Sequence, residues 1–262
     1  MSQRRNTRSL TARSVLLSVL LGTDPPRLPV QVLVRTTELF GIAEGTTRTA
    51  LSRMAAAGEV EADDGHYALA ADRLLARQAR QTASREARTR PGWDGAWSEV
   101  VVGAPGRRRA AADRAALRAA LGAARLAELR EGVWLRPDNL GLRPGDLALP
   151  ADTDVRWFRT FPLDDGPALA AQLWDLDGWA QAAEELRDRM AVLVEPLEAG
   201  DRGSLRDGFV LSADVLRHFQ LDPLLPAELL PAGWPGDALR KDYDRYDAAY
   251  RLVLRDWLRG HG

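Results

Sequence analysis

The residues best able to do chemistry in this sequence are arginines and hydroxyl-bearing residues set at helical spacing, and their chemistry is recognition. From residue 46 to 57 the chain reads Thr-Thr-Arg-Thr-Ala-Leu-Ser-Arg-Met-Ala-Ala-Ala. At about 100° per helical residue, Thr47, Ala50, Leu51 and Met54 share one side. Thr49, Ser52, Arg53 and Ala56 share the other, with Thr46 and Arg48 flanking it near the helix start. A guanidinium can bond both O6 and N7 of guanine, hydroxyls bond bases or phosphates, and alanine permits close approach, so such a face suits the major groove. Residues 1–22 add Arg4, Arg5, Arg8 and Arg13 with no acid, a local excess suited to the phosphate backbone. The competing reading of Arg48 and Arg53 is an ordinary solvated helix face. The elements around them decide between the two.

Apolar residues at Ala12, Val15, Leu16, Val19 and Leu20 predict a helix over Leu10–Leu21, stopped at Gly22. A turn at Asp24-Pro25-Pro26-Arg27 leads to a second helix over Leu28–Phe40, closed by Gly41, and a third runs from Thr46 to Ala57. Glu59–Ala62 and His66–Leu69 alternate on either side of Asp63-Asp64-Gly65, and an Asp-Gly turn between alternating segments is a strong hairpin signal. Three helices followed by a hairpin is the winged-helix order. A polar helix is expected over Ala70–Arg88, and Arg90-Pro91-Gly92 marks a domain boundary.

Further on, strands are expected at Trp97–Val102, Gly132–Arg136 and Val155–Phe161, with a helix over Arg107–Leu121 between the first two. That order predicts a small ferredoxin-like α+β domain, although no fourth strand stands out. Helical spacing then returns over Leu169–Trp174, Trp179–Met190, Ser204–Leu221 and Lys241–Arg259. The expected organisation is therefore α+β in three parts. Residues 1–88 are expected to form a winged helix-turn-helix, 92–173 a ferredoxin-like domain and 174–262 a helical domain.

At 262 residues, 45% apolar and 28% charged, with a net charge of -1, the chain can bury several cores, and its charge balance conceals the basic N-terminus. Without cysteine there are no disulfides, thiolate metal sites or cysteine nucleophile, and His66, His218 and His261 lack ligand spacing. No metal or cofactor is expected. Arg4, Arg5 and Arg8 ahead of Val15–Leu21 imitate a secretory signal, but Gly22-Thr23-Asp24-Pro25 offers no small-x-small cleavage site. No stretch approaches the roughly 20 apolar residues of a membrane span. A cytoplasmic protein is the expectation.

Several segments in order resemble the PaaX family of repressors. They include Ser14-Val15-Leu16-Leu17, Leu39-Phe40-Gly41-Ile42 and Arg48-Thr49-Ala50-Leu51-Ser52-Arg53-Met54. Trp93-Asp94-Gly95-Ala96-Trp97, Gly132-Val133-Trp134-Leu135-Arg136-Pro137, Trp174-Asp175-Leu176-Asp177 and Leu229–Gly236 continue the likeness. The resemblance implies a homodimeric regulator of double-stranded DNA, usually a repressor, with a Cas2-like middle domain and an acyl-CoA or other small-molecule effector. One departure is the acidic wing, Asp63 and Asp64, which phosphate repels, so Arg4, Arg5 and Arg8 are expected to supply backbone contacts instead. His66 is expected to be structural, at the base of the wing.

Arg107-Arg108-Arg109 sits at a strand-to-helix turn, where free amides and guanidinium groups suit a CoA phosphate, though a solvated helix start serves as well. Trp134 and the other tryptophans among the eight suit either an aryl pocket or a core, and the core is expected. An enzyme is disfavoured, because no nucleophile elbow, Walker loop or dinucleotide fingerprint occurs. Two alternatives stay open. One is a Cas2-like nuclease acting through Asp94 and a metal, and the other a protein-interaction adaptor whose winged helix does not read DNA.

Overall fold

The computed structural model describes residues 11–23, 25–71, 89–90, 92–103, 111–147, 149–150 and 153–260. The described residues divide into two compact units: one drawn from Met1–Arg85, Glu185–Arg217 and Ala238–Gly262, the other from Glu86–Glu184 and His218–Asp237.

In the first unit, helix α1 (Ala12–Gly22) starts at Thr11, whose hydroxyl accepts from the Ser14 N–H at 3.2 Å while the Ser14 hydroxyl accepts from the Thr11 N–H. This reciprocal cap satisfies two amides that the first turn leaves without partners. Val15, Leu16 and Leu20 of α1 are fully enclosed. A short strand β1 (Arg27–Pro29) then precedes α2 (Val30–Glu38), where the sequence predicts a turn running into the helix. Gly41, at φ +73°, turns the chain toward α3 (Glu44–Ala56), which begins two residues before the expected Thr46. Strands β2 (Val60–Asp63) and β3 (His66–Leu69) form the expected hairpin. Asp64 and Gly65 both take positive φ, +44° and +72°, the primed-turn geometry that matches strand twist. The sheet order is β1-β3-β2, all antiparallel, with Arg27 opposite Ala68 and Asp63 opposite His66. The helix expected over Ala70–Arg88 falls, beyond residue 71, outside the described residues.

The second unit holds the four-stranded antiparallel sheet β5-β6-β4-β7, from β4 (Trp97–Val102), β5 (Ala127–Arg130), β6 (Val133–Pro137) and β7 (Val155–Thr160). Helix α4 (Ala111–Ala123) connects β4 to β5, which supplies the strand not evident in the sequence. Sheet order and connection give the ferredoxin-like arrangement in its β-α-β-β-β part. On one side Val100, Leu117, Leu121, Leu126 and Trp134 form a core, and another joins Trp97, Leu135, Leu169, Leu176, Leu225 and Leu229. Trp97 stacks on Trp174, and Trp179 on both His218 and Trp234. Four of the eight tryptophans, Trp97, Trp134, Trp179 and Trp257, are buried core residues, and the other four are partly buried.

Helices α5 (Gly166–Leu173), α6 (Leu176–Glu198), α7 (Leu205–Leu221) and α8 (Gly236–Arg259) complete the chain, and α8 starts five residues before the expected Lys241. Its Tyr243, Tyr246, Tyr250, Val253 and Trp257 line one buried face. Within the first unit, Phe40, in the turn after α2, packs on Phe209 of α7 with ring centroids 4.8 Å apart.

Arg136, only 1% exposed, is a polar residue inside the second unit to which, among the described residues, no carboxylate is hydrogen-bonded. Its guanidinium donates to the Pro137, Ala124, Arg125 and Leu224 carbonyls and to Asn139 Oδ1, and Asn139 in turn donates to Leu224 O at 2.8 Å. Burial pulls its pKa down to about 9, with the neighbouring positive charge of Arg125 adding to the effect.

Candidate nucleic-acid interface

Helix α3 is held against α2 by a buried polar contact inside an apolar seam. Thr37 and Thr47, both fully enclosed, bring their hydroxyl oxygens to 2.6 Å. Thr37 also donates to Val34 O at 2.8 Å, so within the pair Thr47 is the donor and Thr37 the acceptor. Leu51 and Met54 continue the buried stripe one and two turns on. With that side fixed, Thr46, Arg48, Thr49, Ser52 and Arg53 all lie exposed, as the helical spacing predicts. Ala50 lies at the margin, half-buried.

The charges on this face are mostly paired, two of the pairs across distant stretches of the sequence. Arg48 donates through Nε to Glu44 Oε1 at 2.7 Å, one turn back on the same helix. Arg13 at the start of α1 meets Glu59 with two parallel bonds of 2.8 Å, across 46 residues, and the carboxylate holds its guanidinium pKa above the ordinary value. Arg27 of β1 pairs with Asp63 at 2.9 Å. Arg53 has no charged partner among the described residues. Thr49 gives its hydroxyl proton to Gly45 O at 2.8 Å, leaving its methyl group and lone pairs for an incoming group. Between the start of α1 and the exposed side of α3 runs an open groove of about 650 Å³ lined by Thr11, Arg13, Thr46, Thr49, Arg53 and Glu59.

At the wing, Arg27 offsets Asp63, while Asp64 is exposed at the turn. His66 sits beside the turn, opposite Asp63, with Nδ1 2.9 Å from Asp64 O, so it belongs to the tip of the wing and not its base. Arg4, Arg5 and Arg8 lie outside the described residues, as do Arg107, Arg108 and Arg109. Trp134, considered for an effector pocket, is 6% exposed within the core of Val100, Leu117, Leu121 and Leu126. A separate groove of about 470 Å³ opens over Glu99, Leu129, Arg130, Val133, Thr160 and Phe161 in the second unit.

Asp94 has a second carboxylate near it, one the sequence does not reveal. Arg159 on β7 bonds Asp94 through Nη2 and Asp138 through Nε, the latter at 3.2 Å, so one guanidinium bridges both acids. The Asp94 carboxyl is held below its usual range, chiefly by Arg159 and then by the Ala96 N–H. Among the described residues no group of three or more His, Asp or Glu side chains could hold a metal ion. The positive charge between these carboxylates is thus the protein's own. Nor is any helix among the described residues long and apolar enough to cross a membrane.

A three-helix winged unit, an antiparallel sheet domain and further helices define an α+β protein. Residues 11–73 match the PaaX-like protein family, residues 90–158 the PaaX protein central Cas2-like domain and residues 174–258 the PaaX-like protein C-terminal domain. The chain belongs to the PaaX-like family. No curated protein matches it. Among solved structures it is similar to an uncharacterized protein, Rv0674, from Mycobacterium tuberculosis. The two are 43% identical over 96% of this chain and 100% of that one, with a TM-score of 0.75.

Proposed function

We propose that this protein is a sequence-specific DNA-binding transcriptional regulator, a repressor that acts as a homodimer and is released by a small-molecule effector, with aryl-CoA thioesters the first class to try. One observation carries the reading. Thr46, Arg48, Thr49, Ser52 and Arg53 stand exposed on the side of α3 opposite its buried Thr47, Leu51 and Met54, on a helix followed directly by a wing. Such a helix can enter a major groove with arginines for guanine and hydroxyls for bases or phosphates. Arg4, Arg5 and Arg8 would add backbone contacts, and Arg107, Arg108 and Arg109 would meet the phosphates of an effector.

Binding of the full-length protein to its own promoter and neighbouring intergenic DNA, at two salt concentrations and with or without aryl-CoA thioesters, tests this. Specific binding that weakens with salt and is abolished by Arg48→Ala with Arg53→Ala supports the reading. Specific binding that survives both substitutions overturns the assignment of α3. The adaptor alternative draws on the pairing of Arg13, Arg27 and Arg48 with acids, which lowers the positive potential of this face. It predicts no specific DNA binding at all.

A further inference from the structure

We propose that Glu44 and Arg48 act together as the reader of one G·C base pair, with Arg48 on the guanine and Glu44 on the amino group of its cytosine. This rests on the reading of α3 as the recognition helix and adds what that helix selects.

The geometry of the pair carries the inference. Arg48 engages Glu44 through Nε alone, at 2.7 Å from Oε1. Among the described residues, the Nη1 and Nη2 groups of Arg48 and Oε2 of Glu44 hold no other hydrogen bond. Both side chains are about half exposed, at 52% and 53% of full accessibility. The free edge of the pair therefore runs from two N–H donors on the guanidinium to a carboxylate acceptor. In the major groove a G·C pair offers the complement, two acceptors at N7 and O6 followed by the donor N4–H₂ of cytosine. An A·T pair would set thymine O4 against the Glu44 carboxylate, acceptor against acceptor, and an inverted C·G pair would set a donor against the guanidinium. One helical turn separates the two residues, about 6 Å along the axis, so their side chains converge on one base pair. Held by Glu44, Arg48 also has fewer side-chain rotamers to lose on binding.

An acid on a DNA-facing surface repels phosphate, so its presence calls for a compensating role. The rival role is local: a carboxylate in the first helical turn favours the helix dipole and pairs with an arginine four residues on. The two roles predict different outcomes for Glu44→Gln. A glutamine amide still accepts from cytosine N4 but also donates to thymine O4.

The experiment is selection from a randomised duplex library by the full-length protein, followed by competition titration of the enriched sequence and its single-position variants. For wild type we expect a G·C pair strongly preferred at one position, lost in Arg48→Ala. In Glu44→Gln, preference for G·C over A·T at that position should fall roughly tenfold while the other positions stay unchanged. If Glu44→Gln keeps every preference and only binds DNA more tightly, the acid serves the helix alone. The proposal is then overturned while the recognition-helix reading stands. If wild type enriches no sequence, that reading fails and this proposal fails with it.

Discussion

The contact between Thr37 and Thr47 positions the candidate recognition helix, and its energetics can be worked out from the structure. Thr37 spends its proton on Val34 O, so Thr47 supplies the proton of the 2.6 Å contact, and its other acceptor, Ala43 O, is 3.4 Å away. Thr37→Val leaves the Thr47 hydroxyl with only that long bond inside a fully enclosed seam. Thr47→Val instead leaves a Thr37 lone pair facing a methyl group. A buried polar group deprived of its partner costs about 1–3 kcal/mol, whereas replacing both partners with apolar groups of the same shape is nearly neutral. Each single variant should therefore lose about 1–2 kcal/mol and the double variant less than either, which makes the coupling larger than either single loss, about 2–3 kcal/mol. For a chain of this size each kcal/mol is about 2–4 °C in Tm. Thermal unfolding of the four proteins measures the cycle. A double variant whose loss equals the sum of the two singles would refute the hydrogen-bond account of the seam.

Three further predictions concern charge and burial. Arg136→Met should cost about 2–4 kcal/mol, because it leaves Asn139 Oδ1 and the Ala124 and Arg125 carbonyls without their donor, and Arg136→Lys should restore little, lacking the planar fork that reaches them together; Tm reports both. Tyr246 and Tyr250 have pKa values raised by burial, so the folded state keeps their protons while unfolded tyrosine ionises near about pH 10. Their stabilisation is complete below that pH and is lost as pH rises toward the folded values, by about 1.4 kcal/mol per pH unit for each tyrosine. Urea unfolding between pH 9 and 11, with Tyr250→Phe expected to remove about half the slope, checks the sign and the source. Glu59→Gln frees Arg13 from its bidentate partner, so the salt dependence of the proposed DNA binding should steepen by about one released counterion with little change in Tm. An unchanged slope would remove Arg13 from the interface.

The buried network of Arg136 shows why the second unit holds its C-terminal segment firmly. The guanidinium of Arg125 reaches the Phe219 and Gln220 carbonyls at the end of α7, and Arg136 with Asn139 takes the Leu224 carbonyl just beyond. Carbonyls at a helix C-terminus lack intrahelical donors and carry partial negative charge, so arginines are well matched to them. A guanidinium with several carbonyl partners can stay buried without a hydrogen-bonded carboxylate; burial lowers its pKa, and the charge of nearby Asp138 opposes that shift.

What the sequence determined by itself is local. The faces of α1 and α3 follow from residues three and four apart, so the buried Thr47, Leu51 and Met54 and the exposed Arg48, Thr49, Ser52 and Arg53 were legible from spacing. The wing was legible because Asp64-Gly65 demands positive φ between two alternating segments. The tertiary structure alone decided what depends on distant partners. Strand β1 contains a proline and only three residues, and it is a strand because residues 66–68 lie beside it. Strand β5 is likewise four residues of mixed character, defined by its pairing with β6. Two ion pairs of the candidate interface belong to the same class, since Arg13 finds Glu59 and Arg27 finds Asp63 across 46 and 36 residues. Arg159 joins Asp94 to Asp138 in the same way. Helical faces and tight turns are written in neighbouring residues, whereas short strands and ion pairs take their identity from whatever the fold brings alongside them.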